Sequence, residues 1–372
     1  MKRLNNNRLV WPILWATLSS SSWAQDISFC EQFEIFDNQL NLKQRAFSTA
    51  PEQLAWQWFV CLNHVTDNGY RYWEGFRNTT DVFLDGGKTP LPFTVRIPDS
   101  EELVTERQAL KLDSSAIFHN ISTTIQADGK SLFDIEEQSV RYQMLMNRAA
   151  FDYIVQKQVY NLDGQVALAQ QGIPLQFPPT AWELKLSWFW VGSNSSRLEQ
   201  MVADGFIVVP SYFEENGEIS VGFAALSGMH IVNKLLTNWT WSTFEHKRNN
   251  NYLTQAIDNT TGPTPAAIEQ NQLFQQAYPD LGQYQLIGVQ SDFEEQTLLA
   301  NAQMESAFIN QSSCLACHQR AAVNSNGEHL AYAIGWDEGL LFPTEAMDAA
   351  EFPDYTLLDF VWSLRHAQWR VP

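Results

Sequence analysis

The stretch TAWELKLSWFWVG, residues 180–192, constrains the fold more than any other in the chain. Trp182, Leu184, Leu186, Trp188 and Trp190 alternate with Glu183, Lys185 and Ser187. A period of two sends the apolar set to one face of an extended strand and the polar set to the other, the mark of a half-buried strand. Further strand candidates follow in GFIVVPSYF, EISVGFAAL, GMHIVNKLL and WTWSTFEH. Upstream the period changes. APEQLAWQWFVCLNHV carries Pro51 at a favourable helix start. EEQSVRYQMLMNRAAFDYIVQKQVY repeats Val140, Met144, Phe151, Ile154 and Val155 at helical spacing. The expectation for residues 25–290 is therefore an antiparallel, β-rich N-terminal domain with packed helices. The segment KRNNNYLTQAIDNTTGPTPAAIEQNQLFQQAYPDLGQ, rich in Asn, Gln, Pro and Gly, reads as a long surface connection.

Residues 1–24 form a segment of another kind. Lys2, Arg3 and Arg8 precede the apolar run LVWPILWATL, and Ser22 and Ala24 supply the small residues of a cleavage site. This is the pattern of a secretory signal peptide. The run is too short for a stable anchor, and no later segment reaches the roughly eighteen uninterrupted apolar residues of a spanning helix. The chain is expected to be periplasmic or secreted, with no membrane span. Its hydrophobic content of 45% excludes disorder of the whole chain. A formal charge of −19 repels nucleic acid and anionic lipid. Most of the 14 tryptophans are expected in the core.

SSCLACHQR, residues 312–320, carries the chemistry. Two cysteines three apart followed by histidine fit a zinc half-site, a dithiol redox pair or the covalent seat of a haem. The chain has four cysteines, Cys30, Cys61, Cys314 and Cys317, and no second CxxC to complete a zinc site. A thioredoxin-like pair is expected after a strand in a βαβ pattern, whereas this one follows the helix-compatible TLLANAQMESAFINQ. The haem reading uses all three residues. Cys314 and Cys317 form thioethers and His318 ligates the iron of one covalently attached haem c. At the C-terminus DYTLLDFVWSLRHAQW places Leu357, Phe360, Val361 and Leu364 on one helical face. Residues 291–372 thus resemble a small all-α, cytochrome c-like module, and the expected fold class is α+β. Met347 stands in the order in which cytochromes c supply a sixth ligand; His329, His366 and Met304 are weaker candidates. Cys30 and Cys61, both outside the motif in an exported chain, are expected to form a disulfide.

The segments MHIVNK and WTWSTFEH, if paired, carry His230, Glu245 and His246 as candidates for moving protons or binding a metal. The turn register decides whether the two histidines face the same way, and satisfied structural histidines are the plainer alternative. AWQWFVCLNHV with YRYWEGF, MNRAAFDYIVQKQVYNLDGQ, GMHIVNKLLTNWTWSTFEHKRN, YQLIGVQ, LLANAQMES with its CxxCH, and DFVWSLRHAQ resemble, in this order, segments of bacterial exported proteins called cytochrome c family proteins. The resemblance spans nearly the whole mature chain and is most specific in the MHIVNK to WTWSTFEH stretch. It marks His230, Lys234, Trp241, Glu245 and His246 as positions to test. It departs at His64, where an aromatic is expected, so no role passes to that residue. It implies the haem and the two-part layout without naming a reaction. Electron transfer with a redox partner protein, one that the acidic charge would allow to be basic, is the first expectation. A peroxidase-like or oxidase-like haem enzyme with an open iron, or a haem-based binding or sensing protein, is the alternative.

Overall fold

The computed structural model describes residues 30, 40–95, 97, 99–126, 130–259, 261–293, 298–330 and 352–371. The expected signal segment and Met347 lie outside them. In chain order the helices are α1 (Leu40–Thr49), α2 (Pro51–Asn63), α3 (Glu101–Ala109), α4 (Arg148–Gln156), α5 (Leu162–Gln170), α6 (Ser195–Ala203), α7 (Pro265–Ala277) and α8 (Cys314–His318). The strands are β1 (Arg77–Asn78), β2 (His119–Asn120), β3 (Arg141–Met146), β4 (Trp182–Gly192), β5 (Val208–Glu215), β6 (Glu218–Asn233), β7 (Thr240–His246), β8 (Tyr284–Gln290), β9 (Ala322–Asn324) and β10 (Tyr355–Leu357). The fold is mixed α and β around one large sheet. Its order is β1-β3-β4-β6-β5-β2, with β7 paired to the later half of β6 and β8 paired to β7. All pairings in it are antiparallel except β2 with β5. Among the described residues no helix is long and apolar enough to cross a membrane.

The alternation of β4 divides this sheet into two unlike faces. Leu184 and Leu186 lie opposite Ile231 and Met229 of β6, and Met229 lies opposite Phe244 of β7. Directly opposed residues point the same way, so these side chains form an apolar face. Helix α2 covers it, helped by Pro51 at its first turn and Glu52 beside its positive end. Trp56 meets Phe244 edge-on at 5.1 Å, and its Nε1 donates to Asn271 Oδ1 of α7 at 2.9 Å. The other face carries Glu183, Lys185 and Ser187 opposite Val232, His230 and Gly228. Trp241, Thr243 and Glu245 of β7 continue it. The C-terminal segment packs on this second face.

Three local expectations are corrected. Residues 136–160 do not form one helix: residues 141–146 are β3, where five of six side chains are buried, and the helix begins only at Arg148, after the cap Asn147, whose side chain accepts from Ala150 N. The supposed surface connection contains the 13-residue α7, capped by Thr264 and opened by Pro265. Neither flank of the CxxCH motif is an α-helix. Residues 298–311 run as turns ending in one 3-10 turn, and the closing segment forms β10 and a 3-10 helix, Trp362–His366. Of Leu357, Phe360, Val361 and Leu364, the last two are buried and the first two only partly so, which is not one buried helix face. Leu358, Val361, Trp362 and Leu364 share a core with Met146, Phe151 and Trp239 from the other side of residue 290. Of the described residues in 291–372, only α8 is α-helical.

Cys30 and Cys61 are joined as a disulfide across a separation of 31 residues. Removing it by Cys30→Ser is expected to lower the unfolding free energy by roughly 3 kcal/mol. Urea denaturation measures this, and an unmoved midpoint at unchanged slope would contradict it.

Candidate functional site

Helix α8 is short and held by its neighbours. Ser313 caps it by accepting from Ala316 N, and Gln290 at the end of β8 accepts from Leu315 N at 3.1 Å and donates to Ser313 Oγ at 2.9 Å. Leu315 and Ala316 are buried, while Cys314, Cys317 and His318 remain partly exposed. The two thiols are free. Burial pushes the Cys317 thiol up to about 11 and raises that of Cys314 as well. A reactive dithiol needs the opposite, surroundings that favour the thiolate.

His318 is oriented by the closing segment. Its Nδ1 bonds the Phe360 carbonyl at 2.8 Å, and its ring packs against Trp241 with centroids 4.3 Å apart. Trp362 Nε1 donates to Cys317 O at 3.0 Å, tying the same segment to the helix. A histidine that gives Nδ1–H to a carbonyl presents Nε2 to a metal in a fixed tautomer. Burial lowers the His318 pKa to about 4, so the ring is neutral at pH 7, the form that ligates. Among the described residues no three His, Cys, Asp or Glu side chains gather into a metal-holding group. The motif's thiols and imidazole thus do not converge on one point. What the structure shows at the motif is two free thiols on one short helix and an imidazole held through its Nδ1.

The polar sheet face brings His230 to this helix. His230 lies opposite Lys185 on β4 and Thr243 on β7. Its Nε2 is buried without a hydrogen-bond partner and stands 3.4 Å from Glu305 Oε2. Glu305 arrives on a turn that docks through Asn301, whose Nδ2 donates to Thr243 Oγ1 at 2.8 Å and to Phe244 O at 2.9 Å. Gly228 makes room for it: a Cβ there would lie 3.0 Å from Asn301 Nδ2. Burial opposes the Glu305 carboxylate, but His230, Lys185 and the Asn301 N–H outweigh it and hold its pKa below the usual range. Lys185 and Glu305 act on His318 in opposite senses, the cation lowering its pKa and the carboxylate raising it. Sequence reasoning missed Glu305, which lay inside a stretch read as helix, and left Lys185 as a mere member of a polar face.

The remaining candidates divide clearly. Glu245 shares the face of His230 but is committed to structure, accepting from Ala302 N and Asn259 Nδ2. His246 points to the other face, stacked on Phe206 at 3.5 Å, with burial lowering its pKa to about 3. His329 Nε2 bonds Gln165 Oε1 at 2.9 Å. His366 packs near Phe83, Met304 is fully buried among apolar side chains, and His64 is exposed at the end of α2. Lys234 pairs with Asp359. A cavity of about 820 Å³ opens near Glu74, His119 and Gln143. Gln143 lies opposite Leu186, on the sheet face turned from the motif. There His119 is fixed at both ring nitrogens, Nε2 by Glu74 at 2.9 Å and Nδ1 by Gln143 at 3.5 Å. Comparison of the chain with protein-family models, curated proteins and solved structures gives no match.

Proposed function

We propose that this chain is an exported c-type cytochrome that carries one haem on Cys314 and Cys317, with His318 as axial ligand, and works in electron transfer. The observation that carries the reading is the His318 Nδ1 bond to the Phe360 carbonyl beside two free thiols on one short helix. Haem supplies one-electron chemistry when bound. The chain's own residues orient the ligand ring, keep it neutral, and set Lys185, His230 and Glu305 nearby. The Cys30–Cys61 disulfide supports an oxidising compartment. The acidic chain, at −19, suits a basic redox partner.

The buried His230 Nε2, 3.4 Å from Glu305 Oε2, favours a second reading, a haem oxidoreductase of peroxidase-like or oxidase-like type. In it His230 and Glu305 would hold and pass a proton for the chemistry that a bound haem would supply. Visible spectra of the dithionite-reduced protein, with and without carbon monoxide, separate the two. A sharp low-spin spectrum indifferent to carbon monoxide supports the carrier; a high-spin spectrum that shifts supports the enzyme. His230→Ala tests the nitrogen directly. A spin-state change would assign His230 as an iron ligand, and an unchanged spectrum would dismiss that role.

A further inference from the structure

The carbonyl that orients His318 is presented by a strained piece of backbone. Asp359 and Phe360 have φ of 53° and 68°, two consecutive left-handed residues of which neither is glycine. Such a conformation costs about 1–2 kcal/mol per residue, and Phe has no polar side chain to offset it locally. The turn persists only if its surroundings hold it. Backbone bonds define it at each end: Leu358 N donates to Ala321 O at 2.7 Å, and Val361 N to Leu358 O at 3.1 Å.

The Asp359 carboxylate supplies the rest. Its Oδ2 accepts from Phe177 N at 2.7 Å, and its Oδ1 accepts from Lys234 Nζ at 2.6 Å. The pair is buried, with side chains 7% and 8% exposed. Lys234 is the first residue after β6, and its Nζ also donates to Thr237 O at 2.6 Å, so its end of the pair is anchored to the sheet. A buried ion pair is a weak source of net stability, but removing one partner is costly because the other charge is left buried and uncompensated.

We infer that the Lys234–Asp359 pair is a positioning device for the haem ligand. It locks the turn of residues 358–361 so that the Phe360 carbonyl fixes the tautomer and ring orientation of His318. The inference rests on the haem reading for what His318 ligates, and on the structure alone for how His318 is held. Lys234 is then a positioning residue, which acts on the ligand through Asp359 and the backbone of Phe360.

The test follows the His318 Nδ1–H by NMR in the protein as purified. Lys234→Met is expected to speed its exchange with solvent about tenfold or more, the cost of one lost hydrogen bond. Lys234→Arg keeps the charge and is expected to keep the slow exchange. Asp359→Asn removes the charge from the other half of the pair and is expected to speed exchange to a similar degree, because either loss unlocks the same turn. Lys234→Met combined with Asp359→Asn is expected to add little beyond either single change, whereas two independent structural contributions would add. Unchanged exchange in Lys234→Met, or additive losses in the double variant, overturns the inference. If Lys234→Met does not fold, Asp359→Asn carries the test, since asparagine tolerates the left-handed backbone and lacks the charge. Intact mass reports separately whether haem is attached, so failure of that reading is not confused with failure of this one.

Discussion

Serine at both Cys314 and Cys317 is expected to give an exported protein that keeps its fold and carries no covalently bound haem. The helix is held by groups other than the two thiols. Helix α8 is fastened by the Ser313 cap, by Gln290 and by the burial of Leu315 and Ala316. Trp362 holds it through the Cys317 carbonyl, which serine retains. The other two cysteines are closed in their own disulfide and cannot substitute. Intact mass under denaturing conditions decides the matter, because a thioether-bound haem stays with the chain and any other haem leaves. Each single variant is expected to keep one thioether. His318→Ala is expected to keep the covalent haem and alter its spectrum. A wild-type chain with unmodified mass and two thiols open to alkylation would end the haem reading altogether.

How much of this was legible beforehand depended on whether the signal was local. The alternation in β4 announced a two-faced sheet, and the structure places those residues as that pattern requires. Register is not local, so the sequence left open whether His230 and His246 face each other. The pairing of His230 with Thr243 turns them to opposite faces. Residues 141–146 misled because Val140 and Met144 are four apart, a spacing that fits a helix face and also fits alternate positions of a strand. Helix α7 was hidden by composition, although its Thr264 and Pro265 start signal was present. The Asp359–Phe360 turn had no sequence signature, since left-handed backbone is ordinarily marked by glycine. Cys314, Cys317 and His318 were recognisable as a motif because they are adjacent in the chain. Glu305, Lys185 and Phe360 were not, because only tertiary packing brings them to the motif.

The second large effect expected is a dependence of stability on pH set by Glu245. This carboxyl is 6% exposed and carries two hydrogen bonds, from Asn259 Nδ2 at 2.9 Å and from Ala302 N. Burial pushes its pKa from 4.5 up to about 7, and the Glu305 carboxylate pushes the same way. Between those two values the folded state holds a proton that the unfolded state has released. Stability therefore falls as pH rises through that window and levels off above it. At about 1.4 kcal/mol per pH unit of displacement, the loss amounts to between about 3 and 4 kcal/mol. Glu245→Gln keeps an acceptor oxygen and removes the ionisation. The variant is expected to gain on the wild type by that amount between pH 4.5 and pH 8, read by urea unfolding at each pH. Taking the difference between the two proteins cancels the opposite contribution of His246, whose lowered pKa makes stability rise with pH below its usual range. A difference that does not change with pH would mean that Glu245 ionises normally. If it grows with pH, ionised Glu245 works against the turn of residues 301–305, and so against the contact that sets Glu305 beside His230.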